Sequence, residues 1–317
     1  MKFYLAPMEG ITGQVYRNVY HSFYNNIDKY FTPFIAPNKK RIMRTREQKD
    51  VAPENNRGMY VVPQILTNQP EQFCDTCGAL YELGYREVNL NAGCPSSTVV
   101  TKKKGAGLLA EPEILDRFLE EVFTVLRQRG IEESIVISVK TRLGIFSQAE
   151  FSDILAVYNR YPLGEVIVHP RVQQDFYKNT PDWEAFREAL EQSVHPLCYN
   201  GDIFTKEQYE AFVAEFPKVE RMMLGRGVIA NPGLIGEIKG EEKISFGQLK
   251  HYHDLLYKGY TMDLKNERDV LFKMKELWFY IGNRFEEGDR DLKKIRKAKS
   301  ALEYEGAVES LFAKEKK

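Results

Sequence analysis

Eight short strand-like runs, each followed by a stretch long enough for a crossover helix, constrain this chain more than any other feature. They lie at residues 3–6, 31–35, 60–66, 87–91, 135–140, 165–169, 196–200 and 221–224. Parallel neighbours need crossovers of a dozen or more residues, whereas antiparallel ones close with tight turns. Eight βα units before residue 235 suit a closed parallel ring better than an open doubly wound sheet. The expected fold is α/β, a (β/α)8 TIM barrel over residues 1–238. Beyond Gly240 the strand signals stop. Val270, Met274, Leu277, Trp278, Ile281 and Phe285 recur at helical spacing, as do Leu292, Ile295 and Leu302. Leu249, Tyr252 and Leu256 mark an earlier helix. Residues 239–317 are therefore expected as an all-helical C-terminal domain of four helices.

Composition narrows the partners. Lys plus Arg and Asp plus Glu both number 45, so any basic surface has to be local. The N-terminus is too poor in apolar residues for a signal peptide, and no stretch could span a bilayer. The 4 cysteines give no disulfide framework. Cys74 and Cys77 form a C-x-x-C inside a helical pattern with no second pair, so they read as buried helix cysteines and no metal site is expected. The expected compartment is cytoplasmic, the default oligomeric state a monomer, with no membrane and no obligate protein partner.

Function in such a barrel is built at the C-terminal ends of the strands. The third run carries Gln64, the fourth ends at Asn91, the fifth at Lys140, the sixth at His169 and the seventh at Asn200. Parity puts Ser138 and Lys140 inside, with Ile135, Ile137 and Val139 toward the helices. A lone polar strand end usually satisfies a loop backbone. Five in succession describe a polar ring around a planar, hydrogen-bonding ligand. Asn200-Gly201-Asp202 and Gly225-Arg226-Gly227 end the last two strands, where this barrel commonly holds a phosphate, and glycines beside an arginine suit an anion. A planar head with one phosphate and no dinucleotide fingerprint points to FMN.

The segment 89–109, NLNAGCPSSTVVTKKKGAGLL, adds a thiol on a turn, Cys94, and a basic loop of Lys102, Lys103 and Lys104 before a helical pattern at Leu108. With this block the chain resembles the tRNA-dihydrouridine synthases, FMN enzymes of bacterial type that reduce specific tRNA uridines. The resemblance runs through Ala6-Pro7-Met8-Glu9-Gly10, Gln64, Asn89-Leu90-Asn91-Ala92-Gly93-Cys94-Pro95, Lys140-Thr141-Arg142, His169-Pro170-Arg171, Asn200-Gly201-Asp202 and Gly225-Arg226-Gly227. It implies that Pro7, Met8 and Glu9 line the flavin, that Gln64 holds its pyrimidine edge, and that Lys140 and His169 meet its polar side. It gives Asn200, Gly201, Asp202, Gly225 and Arg226 to the phosphate region, although relatives frequently carry a glutamate at the position of Asp202. It places Asn91 and Arg142 near the flavin and incoming base, and matches Cys94 to the catalytic cysteine. It also implies NADPH, or NADH, as reductant.

The implied reaction delivers a hydride from reduced flavin to uracil C6 and a proton to C5. A thiol of ordinary pKa, about 8.5, is mostly protonated near neutrality and can donate as it stands. Neighbouring cations would work against that, so Lys102, Lys103 and Lys104 are expected to meet tRNA phosphate instead. The target base must be extruded from folded RNA. Lys39, Lys40 and Arg41, with Arg44, Arg46 and Lys49, supply a basic segment after the second strand, interrupted by Glu47 and Asp50. Lys293, Lys294, Arg296, Lys297 and Lys299 supply a second. Two other readings compete. An FMN barrel acting on a free pyrimidine would turn over uracil without tRNA, and a tRNA-binding protein without catalysis would bind no flavin.

Overall fold

The computed structural model describes residues 1–285 and 289–315. Its strands, in chain order, are β1 (Lys2–Leu5), β2 (Lys29–Phe31), β3 (Val61–Val62), β4 (Gln64–Ile65), β5 (Glu87–Ala92), β6 (Val136–Arg142), β7 (Val166–His169), β8 (Leu197–Tyr199) and β9 (Arg221–Leu224). All pair in parallel, in the order β3-β2-β1-β9-β8-β7-β6-β5-β4. The two ends of that order are halves of one run, split by Pro63, which has no N–H to give a ladder. β3 pairs with β2 and β4 with β5, so the ring closes through a broken third strand. The barrel is an eight-unit parallel one.

Three local expectations are corrected. The second strand lies at Lys29–Phe31 rather than 31–35, because Pro33 interrupts the run; Ile35 returns only as a single bridge to Ile65. The helix expected from Leu108 starts at Pro112, after a 3-10 turn over Gly105–Leu109. Leu302, expected in the helical core, is 82% exposed.

Two compact units emerge. The first comprises Met1–Pro7, Asp28–Asp202 and Lys218–Met223. Its helices are α2 (Thr45–Val51), α3 (Pro70–Glu82), α4 (Ser97–Val100), α5 (Pro112–Gln128), α6 (Phe151–Tyr158) and α7 (Trp183–Gln192). On α3, Cys74 and Cys77 are buried with Phe73 and Leu80. Strand parity stacks the barrel interior in layers. At the N-terminal floor Lys29 Nζ meets Glu87 at 2.9 Å and Glu165 at 2.7 Å, and the Tyr4 and Tyr60 hydroxyls donate to those carboxylates. An apolar layer of Tyr4, Ala6, Phe31, Val62, Ile167, Cys198 and Met223 lies inside. The polar strand ends crown it.

The second unit comprises Met8–Ile27, Ile203–Pro217 and the chain from Leu224 onward. It contains α1 (Gln14–Tyr24), α8 (Lys206–Glu215), α9 (Arg226–Ala230), α10 (Leu234–Ile238), α11 (Phe246–Asp263), α12 (Glu267–Ile281), α13 (Asp289–Lys297) and α14 (Ala301–Lys314). The periodic apolar residues of α12 and α14 are buried around a polar knot. Trp278 Nε1 donates to the Tyr304 hydroxyl at 2.7 Å; His253 Nδ1 donates to the Asp254 carboxylate at 2.9 Å, so its Nε2 accepts from that hydroxyl at 2.7 Å. Burial lowers the His253 pKa, which suits a ring nitrogen that accepts.

Candidate active site

β5 delivers the thiol. Asn91 is buried at its end, and its carbonyl oxygen accepts from the backbone N–H groups of Gly93 at 3.1 Å and Cys94 at 2.9 Å. This turns the chain sharply out of the strand. Gly93 packs on β6, where a Cβ would come 3.3 Å from the Thr141 carbonyl carbon. Cys94 is half-buried, and its carbonyl accepts from Ala106 N–H at 3.0 Å, tying the turn to the loop that follows.

That loop needs Gly105. Its φ is +57°, and a Cβ there would sit 2.9 Å from Cys94 Cβ and 2.8 Å from Cys94 O. We expect Gly105→Ala to push Cys94 off its position and to lower stability by about 1–3 kcal/mol, the usual cost of strained backbone. Urea midpoints together with the alkylation rate of Cys94 check both effects. Unchanged values in both would show that the loop does not hold the thiol.

Across the mouth, Gln64 is fully buried; its carbonyl accepts from Asn91 Nδ2 at 2.8 Å, and its Nε2 donates to Asn89 at 2.8 Å. Lys140, beside Asn91 in the ladder, makes no hydrogen bond or ion pair among the described residues. Burial, with the Arg142 guanidinium next to it, pulls its pKa down to about 8. Arg142 itself donates to three backbone carbonyls: Gly93 at 3.0 Å, Val172 at 2.9 Å and Phe176 at 2.7 Å. It clamps the loop after β7 onto the Cys94 turn, and Gln173 Nε2 adds a bond to Pro95 O at 2.9 Å.

His169 is buried at the end of β7. An arginine can only donate, so the 2.9 Å contact from Arg171 Nη1 makes His169 Nε2 an acceptor and puts its ring proton on Nδ1. Arg171, 2% exposed, forks onto both carboxylate oxygens of Asp202 and donates to Asn179 O at 2.6 Å. Asn200 Nδ2 donates to Met223 O at 2.8 Å, and Gly201 follows half-buried.

The first unit therefore gathers Pro7, Gln64, Asn91, Cys94, Lys140, Arg142, His169, Asn200, Gly201 and Asp202. Met8, Glu9, Gly225 and Arg226 fall in the second unit, where Met8 N–H donates to Thr12 Oγ1 at 2.8 Å and the Arg226 guanidinium lies 5.5 Å from the Phe204 ring centroid. Sequence alone assigns no site role to Ser138, Arg171 or Gln173, and marks Asn89 only as an amide on the inner strand face and Gly105 only as part of the loop's close. The inward parity of Ser138 and the H-P-R block were the available signals.

In the basic segment after β2 the cations are exposed and the carboxylates buried, with Glu47 3.7 Å from Arg44 Nε. Glu47 is 3% exposed and caps α2 by accepting from Arg44 N–H at 2.7 Å and from Ala36 N–H at 3.3 Å, and Asp50 is buried as well. Lys39, Lys40, Arg41, Arg44, Arg46 and Lys49 all remain exposed. In the loop after α4, Lys102 and Lys103 are exposed, Lys103 pairs with Glu111 at 3.2 Å, and burial with Lys102 nearby lowers the Lys104 pKa.

Among the described residues, no helix is long and apolar enough to cross a membrane, and no group of three or more His, Cys, Asp or Glu could hold a metal ion. A family model described as dihydrouridine synthase matches residues 4–307. A tRNA-dihydrouridine(16) synthase of Pseudomonas putida is 30% identical over 81% of this chain and 79% of its own length. A probable tRNA-dihydrouridine synthase of Staphylococcus aureus is 30% identical over 87% of this chain and 81% of its own. Among solved structures, morphinone reductase superposes with a TM-score of 0.53 at 14% identity over 76% of this chain and 86% of its own. Histamine dehydrogenase from a Rhizobium species does so with 0.57 at 12% identity over 82% of this chain and 48% of its own. At those identities the likeness is one of fold.

Proposed function

The chain belongs to the dihydrouridine synthase family, and on that premise we propose that it reduces tRNA uridine with FMN as cofactor, Cys94 as proton donor and NADPH or NADH as reductant. The observation that carries the reading is Lys140: a cation at the barrel mouth without a protein anion, one ladder position from the turn that holds Cys94. Such a group waits for a ligand able to carry negative charge.

The donor set fits a flavin. Gln64 and Asn91 each keep one amide N–H with no acceptor among the described residues, and Lys140 keeps its ammonium. Donors so grouped suit the acceptor-rich pyrimidine edge of an isoalloxazine. Bound there, FMN would supply the electron pair that reduces the uracil double bond at C6. His169, Pro7, Met8 and Glu9 are proposed as further flavin contacts. Asn200, Gly201, Gly225 and Arg226 are proposed for the phosphate, and Asp202 acts by holding Arg171 beside His169.

The protein's own part begins with Cys94, whose thiol gives its proton to C5. Arg142 is reassigned within the proposal. With three carbonyls on its guanidinium it shapes the wall that the base meets, next to Tyr177, whose ring centroid lies 5.4 Å away. Lys39, Lys40 and Arg41, with Lys102, Lys103 and Lys104, are proposed to meet tRNA phosphates, as is the helical segment 239–317. These contacts predict binding that weakens steeply with salt. The protein is proposed to act in the cytoplasm as a monomer.

Purified protein, FMN and NADPH should convert uridine to dihydrouridine in unmodified tRNA, read by mass spectrometry of digested nucleosides. Position 16, named for the Pseudomonas relatives, is the first to map. A protein that binds no flavin, or that reduces free uracil and leaves tRNA untouched, overturns the reading.

A further inference from the structure

Asn89 and Ser138 are fully buried below the mouth, yet both connect to Cys94 through hydrogen bonds whose direction is fixed at each end. At the upper end, the backbone N–H groups of Gly93 and Cys94 can only donate, so Asn91 must present its oxygen to them. Its Nδ2 then donates to Gln64 Oε1 at 2.8 Å, Gln64 Nε2 donates to Asn89 Oδ1 at 2.8 Å, and Asn89 Nδ2 donates to Ser138 Oγ at 2.9 Å. At the lower end Ser138 donates to the carbonyl of Val88 at 3.3 Å, and a carbonyl can only accept. Every donor points away from Cys94, and no amide can flip without breaking two bonds.

We propose that this one-way relay from Cys94 to Val88 makes Asn89 and Ser138 positioning residues for the Cys94 thiol. They touch neither base nor cofactor. They act by setting the orientation of Gln64 and Asn91, and through Asn91 the pitch of the turn that carries the thiol. The same orientation leaves the spare N–H groups of Gln64 and Asn91 where the cofactor reading needs donors. The inference rests on the reading of Cys94 as the proton donor.

Ser138→Ala removes the acceptor at the foot of the relay. Cys74, Cys77 and Cys198 are buried, so iodoacetamide under native conditions reads Cys94. The variant should alkylate about threefold faster, as expected when a local constraint is released. Its reduction of tRNA should slow about tenfold while its reduction by NADPH in the absence of tRNA is retained, the pattern of a displaced acid. Ser138→Thr, which restores the hydroxyl, should recover both. An alanine variant that alkylates and turns over like the parent overturns the proposal, as does a threonine variant no better than alanine. Hydrogen exchange of the parent protein gives a test that needs no variant. The Gly93 and Cys94 amides should exchange slowly despite lying in a half-exposed turn, and fast exchange there overturns the relay. Alkylation and exchange require neither flavin nor tRNA, so they report on the relay even if the parent protein forms no dihydrouridine.

Discussion

Cys94→Ala should abolish most dihydrouridine formation, lowering turnover on tRNA by roughly 100-fold or more, the scale on which a positioned general acid contributes. Cys94 is half-buried at the mouth, while Cys74, Cys77 and Cys198 are buried on α3 and inside the barrel. No second thiol can take its place. At the neighbouring strand ends Arg142 gives three N–H groups to backbone carbonyls, the Asn91 oxygen holds the turn, and His169 Nε2 accepts from Arg171. Lys140, which makes no hydrogen bond or ion pair among the described residues, has its proposed place at the flavin. Reduction of the bound cofactor by NADPH, followed by its change in absorbance without tRNA, should proceed at the parental rate. A Cys94→Ala protein that makes dihydrouridine as fast as the parent would show that the proton comes from elsewhere.

The chain's architecture was legible because strand parity and crossover length are local properties. Eight runs could be counted, and their ends named Gln64, Asn91, Lys140, His169 and Asn200 before any pairing was known. What stayed hidden depended on who meets whom. Pro63 inside the run 60–66 did not announce that the ring would close through two half-strands. Lys29, Glu87 and Glu165 lie 58 and 136 residues apart along the chain from lysine to each partner, so their floor network has no sequence pattern. Glu47 and Asp50 looked like neutralising charges in a basic loop. Helix α2 turns both inward, where Glu47 still pairs with Arg44 at 3.7 Å while Lys39, Lys40 and Arg41 stay exposed. The same limit applies at the site. Arg142 and Lys140 are both cations two residues apart on one strand face, yet one gives three N–H groups to backbone carbonyls and the other makes no such bond among the described residues. Leu302 failed for a related reason: periodicity marks a helix face, and the facing element decides whether that face is covered.

Lys140→Met separates stability from function most sharply. In the folded protein Lys140 titrates near 8, lowered chiefly by burial and then by Arg142, whereas an unfolded lysine titrates at about 10.4. A cation whose folded pKa lies below its unfolded one opposes folding while it is charged, so at neutral pH its removal should raise the melting midpoint of the cofactor-free protein. Cofactor binding should move the other way. Losing a charged donor that the ligand uses costs about 1.5–3 kcal/mol, so FMN affinity should fall by roughly 10–100-fold and reduction by NADPH should slow. The pH dependence supplies the sign. A hydrogen bond from the charged ammonium to the bound ligand raises the lysine pKa, so binding takes up a proton once the free protein has lost it. Parental affinity should therefore be flat below about pH 8 and weaken as pH rises through 8, by at most about tenfold per pH unit. The methionine variant should show no such slope from this group. Flavin titrations between neutral and alkaline pH, paired with thermal melts of the two apoproteins, measure both halves. Equal flavin content and equal pH profiles in parent and variant would remove Lys140 from the cofactor site, and with it the observation on which the proposed function stands.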